Sequence, residues 1–124
     1  MEQNMVTWFE IPVSDMKRAT DFYEKVFDIA ISVQDFGGLQ MGWFPHKGGA
    51  AGAMGCLMKN DSYIPSEEGA LLYFYSSDIE TELKRIEAAG GIIRQSKTMI
   101  SPEYGYMAVF IDTEGNRVAL HSKQ

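Results

Sequence analysis

Two similar segments stand in corresponding places in the two halves of this chain of 124 residues. The first, SDMKRATDFYEKVF, occupies residues 14–27, and the second, SDIETELKRIEAAG, occupies residues 77–90. Each opens with Ser-Asp, follows an apolar run, and carries apolar residues at the spacing of an amphipathic helix. Self-similarity at a fixed offset indicates a duplicated structural unit rather than two unrelated elements.

The same order of elements surrounds both segments. A strand-like run precedes each predicted helix, MVTWFEIPV in the first half and GALLYFYSS in the second. Three further apolar runs, separated by glycine, proline or polar turns, follow each helix. The pattern predicts an α+β fold of two strand–helix–strand–strand–strand (βαβββ) modules, with helices over 15–27 and 78–89. We expect one helix behind each module and a cup-shaped mixed sheet formed by their open faces, a concavity that favours ligands.

The length is that of one compact domain, so we expect module one (1–62) and module two (63–124) to form a single domain. Ser14 or Asp15 can cap the first helix. Ser77 and Glu80 have the spacing of a capping box at the start of the second.

The composition of the chain limits the classes of partner that we expect it to bind. The chain has 11 basic and 17 acidic residues and a net charge of -6, which argues against a nucleic-acid partner but is compatible with a small molecule. No segment is long and apolar enough for a membrane span, and MEQNMVTWFEIP lacks the features of an export signal. The single cysteine, Cys56, excludes an internal disulfide and a cysteine-based zinc site. We therefore expect a cytoplasmic protein with no membrane partner.

The runs IPVSDMKRATDFYEKVF, SDIETELKRIEAAGG and DTEGNRVAL resemble the vicinal oxygen chelate superfamily. This group includes glyoxalase I, bleomycin-resistance proteins, extradiol dioxygenases and fosfomycin-resistance enzymes. The resemblance covers essentially the whole chain, and it is most specific at Arg18, Ala19, Phe22 and Tyr23 and in the Asp-x-x-Gly-Asn turn at 112–116. It implies paired βαβββ modules, a cup-shaped sheet and, commonly, a homodimer. Because its members isomerise, oxidise or merely sequester their ligands, function must be argued from the site.

Metal-dependent members of this superfamily hold a divalent ion with His and Glu side chains from the first and last strands of each module. By that resemblance, the ligand positions fall at Trp8, at Leu71 or Leu72, at Ala119, and within AMGCLMK, where only Cys56 could bind. Tryptophan, leucine and alanine offer a metal no lone pair. We therefore expect no metal and no cofactor.

Two titratable residues lie beside these positions. Because strand side chains alternate, Glu10 shares a face with Trp8, and His121 shares a face with Ala119. If both point into the cup, they could transfer a proton or supply two ligands of a non-standard metal site. The alternative is that Glu10 makes a local hydrogen bond and that His121 lies in a solvated tail. The catalytic residues are therefore unknown, with Glu10 and His121 as weak candidates.

Aromatic and methionine side chains point to an apolar ligand. Trp8 and Trp43 offer flat faces for stacking, and methionines on predicted strands could adapt to varied ligands, although core filling is the alternative. His46, in the turn-rich run FPHKGGAAG, could belong to a lid or could simply be solvated. The residues predicted to line the ligand-binding cup are Trp8, Glu10, Trp43, Leu72, Ala119 and His121.

Two functions remain open at this point. The first is a small-molecule binding protein that holds a hydrophobic or aromatic ligand in a metal-free cup. The second is a metal-dependent glyoxalase-like or dioxygenase-like enzyme with ligands from non-standard positions, for which Glu10 and His121 are the first candidates. The side chains at the metal positions favour binding, and whether the protein is an enzyme stays undecided.

Overall fold

The structure, a computed structural model, describes residues 3–124. Each half of the chain gives one strand, one helix and three further strands, in the predicted order. The elements are β1 (Trp8–Pro12), α1 (Met16–Phe27), β2 (Ser32–Asp35), β3 (Gln40–Trp43), β4 (Met54–Lys59), β5 (Leu72–Tyr75), α2 (Ile79–Ile86), β6 (Ile92–Ser101), β7 (Gly105–Ile111) and β8 (Arg117–Ser122).

The strands form two mixed sheets of four, with the orders β1-β4-β3-β2 and β5-β8-β7-β6. In each sheet the strand before the helix runs parallel to the last strand of the module, and the remaining neighbours are antiparallel. The predicted α+β fold of two βαβββ modules is thus confirmed. Neither helix of the described chain is long and apolar enough to cross a membrane.

Both helices begin at an aspartate that follows a serine. The carboxylate of Asp15 accepts a hydrogen bond from the backbone N–H of Arg18 at 3.0 Å, and that of Asp78 accepts from Glu80 at 3.1 Å. The predicted capping box of Ser77 with Glu80 is wrong, because Asp78 occupies the N-cap position. An aspartate cap also places negative charge at the positive end of the helix dipole.

The helix ends differ in their detail. Helix α1 ends at Phe27, and the capping residue Asp28 adopts a left-handed conformation with φ of 55°. Helix α2 ends at Ile86, before the predicted end at residue 89, and the chain turns through Gly90 with φ of +105°. The N–H of Gly91 donates to the carbonyl of Ile86 at 2.9 Å, which satisfies a carbonyl that the helix leaves free.

One hydrophobic core contains residues of both modules. The buried faces of α1 and α2 contact each other, and both helices pack against the inner sides of the strands. Aromatic rings dominate where the modules meet: the ring of Phe74 lies 5.8 Å from Phe9, 5.0 Å from Phe27 and 5.3 Å from Phe44. Each sheet therefore has one face toward this core and a second face, called here the outward face, on its other side.

Strand register assigns residues to the two outward faces. Residues paired across neighbouring strands share a face, and every second residue along a strand shares it too. The outward face of the first sheet carries Trp8, Glu10, Met41, Trp43, Met54, Cys56 and Met58. The outward face of the second sheet carries Tyr73, Tyr75, Met107, Val109, Ala119 and His121.

The Asp-x-x-Gly-Asn turn between β7 and β8 ties the two modules together. The buried carboxylate of Asp112 accepts a hydrogen bond from the hydroxyl of Tyr23 at 2.7 Å, and the side-chain amide of Asn116 donates to the carbonyl of Pro12 at 2.8 Å. Gly115 takes φ of +91°, which lets the turn close. The motif therefore has a structural role at the boundary between the modules.

Glu114, in the same turn, holds the start of α1. Its carboxylate accepts backbone N–H bonds from Ser14 and Asp15, both at 2.9 Å, and pairs with the guanidinium of Arg18 at 2.7 Å. Burial would raise the pKa of Glu114, but the hydrogen bonds from Arg18 and from the two N–H groups outweigh it and lower that pKa.

Candidate functional site

The outward face of the first sheet brings three of the predicted cup residues into contact. The rings of Trp8 and Trp43 lie 4.9 Å apart at an interplanar angle of 61°. The indole N–H of Trp8 donates to one carboxylate oxygen of Glu10 at 3.2 Å, and the hydroxyl of Tyr63 donates to the other at 2.9 Å. Glu10 therefore makes local hydrogen bonds, and Tyr63 reaches it from the segment that joins the modules.

Beneath these side chains the face is closely covered. Cys56 and Met58 are buried, with 0% and 3% of their surface exposed. Burial, followed by the nearby charge of Glu10, raises the pKa of the Cys56 thiol to about 11, so the thiol is protonated at neutral pH. The buried indole N–H of Trp43 finds no acceptor among residues 3–124. It is a donor held without a partner on the face that carries Trp8.

The outward face of the second sheet holds the remaining polar candidate. His121 lies within β8 rather than in a frayed tail, and its Nε2 is 2.6 Å from the carbonyl oxygen of Tyr104. Ala119 is fully buried beside it. The register partners of Ala119 and His121 are Tyr73 and Tyr75, whose side chains are 52% and 77% exposed. These two tyrosines are the main aromatic surface of this face.

Sequence reasoning missed these tyrosines and chose Leu72 instead. Leu72 pairs with Val118 and packs against the core, so its side chain lies on the other face of β5 from Tyr73 and Tyr75. The alternation in LLYFY carried the signal, because Leu72 and Phe74 are the apolar members that the core requires.

Glu10 and His121 are not brought together. No hydrogen bond or ion pair in the described part of the chain joins them, and each already contacts another group. The six predicted cup residues thus lie in three places: Trp8, Glu10 and Trp43 on one outward face, Ala119 and His121 on the other, and Leu72 against the core, where it lines a cavity between the modules.

The side chains at the implied metal positions do not fit a divalent cation. Trp8 offers an N–H donor, Ala119 a methyl group, and Cys56 a buried thiol whose raised pKa disfavours the thiolate that binds metal. Among residues 3–124 no group of three or more His, Cys, Asp or Glu side chains is placed to hold a metal ion.

A cavity of about 500 Å³ opens where β5 approaches the first module. We call it the seam cavity. It is lined by rings of the core, by residues Leu72–Tyr75 of β5, and by a wall of residues 45–47 and 50–53. His46 lies in that wall, with its ring 5.8 Å from the ring of Trp43. The sequence did not reveal this cavity, because its lining comes from five separate stretches of the chain.

Comparison with known proteins identifies relatives of this fold. A family model described as "Glyoxalase/Bleomycin resistance protein/Dioxygenase superfamily" matches residues 5–120. A search of curated proteins finds no match to the sequence.

Several solved structures share the fold. A glyoxalase/bleomycin resistance protein from Streptomyces sp. CB03234 has a TM-score of 0.71 at 23% identity, over 94% of this chain and 98% of that chain. TnmS3, an antibiotic binding protein from the same organism, has a TM-score of 0.66 at 23% identity, over 100% and 99%. The fosfomycin resistance protein FosX from Listeria monocytogenes has a TM-score of 0.68 at 20% identity, over 100% and 94%.

A glyoxalase I mutant from Zea mays is similar over part of its length. It has a TM-score of 0.70 at 16% identity, and the match covers 94% of this chain but 45% of that one. The chain therefore spans about half the length of the maize protein.

Proposed function

The chain belongs to the glyoxalase/bleomycin resistance protein/dioxygenase superfamily, and from that premise we propose that it is a small-molecule binding protein that holds a hydrophobic or aromatic ligand without a metal. The observation that carries the proposal is the Trp8–Trp43 pair on the outward face of the first sheet. A tryptophan stands where a metal ligand is expected, and it supplies an aromatic surface for stacking instead.

The ligand-facing groups have complementary chemistry. The half-buried rings of Trp8 and Trp43 can contact a flat apolar surface of a ligand. Glu10, with both carboxylate oxygens engaged, holds Trp8 in place. A ligand with a flat aromatic ring system suits this arrangement.

We propose that the cup is completed in a homodimer. Within one chain the outward faces do not share a hydrogen bond or ring contact among the described residues, and each face by itself is one wall. Tyr73 and Tyr75, which are 52% and 77% exposed, give the second face an aromatic surface that a partner could cover. The first sheet of one protomer against the second sheet of its partner would enclose the ligand between two aromatic walls.

The relatives are consistent with such a role. TnmS3 is an antibiotic binding protein, and its fold matches the whole of this chain. The core shared by both modules supports treating residues 1–124 as one domain with module one at 1–62 and module two at 63–124. The buried, unpaired Cys56 suits a cytoplasmic location.

Removing Trp8 tests the proposal. A panel of planar aromatic compounds is screened by quenching of tryptophan fluorescence, and each hit is titrated calorimetrically against the wild type, Trp8→Ala and Phe36→Ala. Loss of a central aromatic contact costs about 2 kcal/mol, or roughly thirtyfold in Kd. Phe36, 58% exposed beyond β2, serves as the matched control and should bind normally. Equal affinities in Trp8→Ala and in the wild type would refute Trp8 as the ligand contact.

A further inference from the structure

The seam cavity has the form of a second ligand site. Its volume of about 500 Å³ lies within the range of roughly 300–1,000 Å³ typical of small-molecule pockets. It is lined by Phe9, Phe44 and Phe74 of the core and by Tyr73 and Tyr75. Neither Trp8 nor Trp43 lines it, so it is separate from the pair on the outward face of the first sheet, although it shares the tyrosines of β5 with the second.

Lys47 is the one charged side chain among the described residues that line this cavity. The protein as a whole carries a net charge of -6, yet no aspartate or glutamate of the described chain lines the cavity. Lys47 lies in its wall and makes no ion pair within residues 3–124, and His46 stands beside it. A cation beside an apolar cavity attracts an anion whose remaining surface is apolar, because the cavity buries the rings and the lysine compensates the charge.

Two segments of the chain border the cavity from opposite sides. Strand β5 lies at the end of its sheet order, and its residues Leu72–Tyr75 line the cavity. In the opposite wall, a Cβ added at Gly52 would meet no atom within 4 Å. There is therefore open space beside Gly52 in this wall.

From these observations we propose that the seam cavity binds a planar aromatic anion, with its rings against Phe44 and Phe74 and its acidic group beside Lys47. The cavity would accept a fused or linked ring system that bears a carboxylate or sulfonate. This site lies apart from the Trp8–Trp43 pair, but it borders Tyr73 and Tyr75, which the proposed homodimer would cover.

A pair of fluorescent probes tests the proposal on the intact protein. Anilinonaphthalene sulfonate is an aromatic anion, and phenylnaphthylamine has the same rings without the charge. Ala53→Trp places a large ring in the cavity from an exposed position. We expect it to weaken the binding of both probes at least about tenfold in Kd. Lys47→Gln should weaken binding of the sulfonate about fivefold and leave the affinity for the uncharged probe unchanged. Ala88→Trp, an exposed alanine beyond α2, is the matched control and should bind both probes normally.

The outcomes separate this site from the cup. Sulfonate binding that is unchanged in Ala53→Trp and in a second filling variant, Ala51→Trp, would overturn the site. Unchanged affinity of Lys47→Gln for the sulfonate probe would refute the placement of the ligand's acidic group beside Lys47. If Trp8→Ala lost sulfonate binding while both filling variants retained it, the probe would bind in the cup and the proposed site in the seam cavity would be refuted. Melting temperatures of the variants, measured alongside, show that each remains folded.

Discussion

The hydroxyl of Tyr23 donates a 2.7 Å hydrogen bond to the carboxylate of Asp112, and both side chains are buried. Tyr23 belongs to α1 in the first module, whereas Asp112 follows β7 in the second. The bond therefore crosses the boundary between the modules. Burial raises the pKa of both groups, so the tyrosine keeps its proton and remains a donor at neutral pH.

Tyr23→Phe should destabilise the protein while leaving its fold intact. The substitution removes one donor from a buried carboxylate, which typically costs about 1–3 kcal/mol in the free energy of unfolding. Urea denaturation measures the change, with Tyr75→Phe as the control, because Tyr75 is 77% exposed and its change should stay within about 0.5 kcal/mol. Similar unfolding free energies for the two variants would show that the buried bond contributes nothing to stability.

Glu114 should make the protein sensitive to acid. Because its pKa is lower in the folded state, its contribution is fully present above its unfolded-state pKa of about 4.3 and is lost as pH falls through the folded-state value. At pH 7, Glu114→Gln should be less stable by about 1 kcal/mol, a figure reduced because Arg18 is half exposed. The difference should close as the pH falls below about 4.

Chemical denaturation of the wild type and Glu114→Gln across this pH range measures the effect. Asp112 acts in the opposite sense, since its raised pKa contributes stability at low pH that is lost as pH rises. It is present in both proteins, so the comparison cancels it. A gap between the two proteins that stays constant from neutral to acid pH would contradict the lowered pKa of Glu114.

The sequence predicted the fold because its strongest signals are local and repeated. The two Ser-Asp helix starts and the apolar runs around them specify element type and order before any tertiary contact forms. The end of α2 was harder, since residues 87–90 are compatible with helix and Gly90 and Gly91 decide the turn. The cap was misassigned to Ser77 because Ser77 and Asp78 are both good caps and only the backbone geometry chooses between them.

The candidate site was less predictable, because it depends on which face of a sheet each side chain occupies and on which strands become neighbours. The proximity of Trp8 and Trp43 requires β1 and β3 to flank β4, a neighbourhood that hydrophobic pattern does not specify. Tyr63 reaches Glu10 from a connecting segment without regular structure. The placement of Leu72 against the core shows that a shift of one residue in a strand moves a side chain to the opposite face.

The ring of Phe9 packs so close to the backbone at Gly55 that it leaves no room for a side chain there. A Cβ at this position would lie 2.4 Å from ring atoms of Phe9, whose ring also packs near Phe44 and Phe74. Gly55→Ala should cost about 1–3 kcal/mol, because the ring must move within a closely packed core. Gly48→Ala is the control, since its Cβ would meet no atom within 4 Å. Thermal unfolding of the two variants should separate them, and equal melting temperatures would show that Phe9 adjusts freely.

The predicted homodimer is tested by mass in solution. We expect light scattering at tens of micromolar, an ordinary range for moderate affinities, to give twice the 13.9 kDa mass of the chain. Tyr75→Asp should shift the population toward the monomer, because it places a charge on the exposed face that a partner would cover. Phe36→Asp, at an exposed position of the first module, is the control. A monomeric wild type at this concentration would refute the shared cup.

The last prediction is that divalent cations leave the protein's stability unchanged. Trp8 and Ala119 provide no lone pair at two implied metal positions, and the Cys56 thiol is protonated, with its pKa raised to about 11. Glu10 and His121 lie on different outward faces, and even if a shared cup brought them together they would supply two ligands, whereas catalytic sites generally keep three. Two protein ligands would replace too few of the waters that a divalent ion loses on binding, so the free-energy cost of its desolvation would not be compensated.

A bound metal would be visible in the melting temperature. An ion at about 100 times its Kd adds about 2.7 kcal/mol to the free energy of unfolding, which corresponds to a shift of several degrees. We expect nickel, zinc, manganese and iron(II) each to produce no such shift in the wild type. Metal analysis of the purified protein provides the second measurement. Near-stoichiometric metal that disappears in Glu10→Ala or His121→Ala would contradict the metal-free cup and favour an enzyme, because only a specific site would need those two side chains.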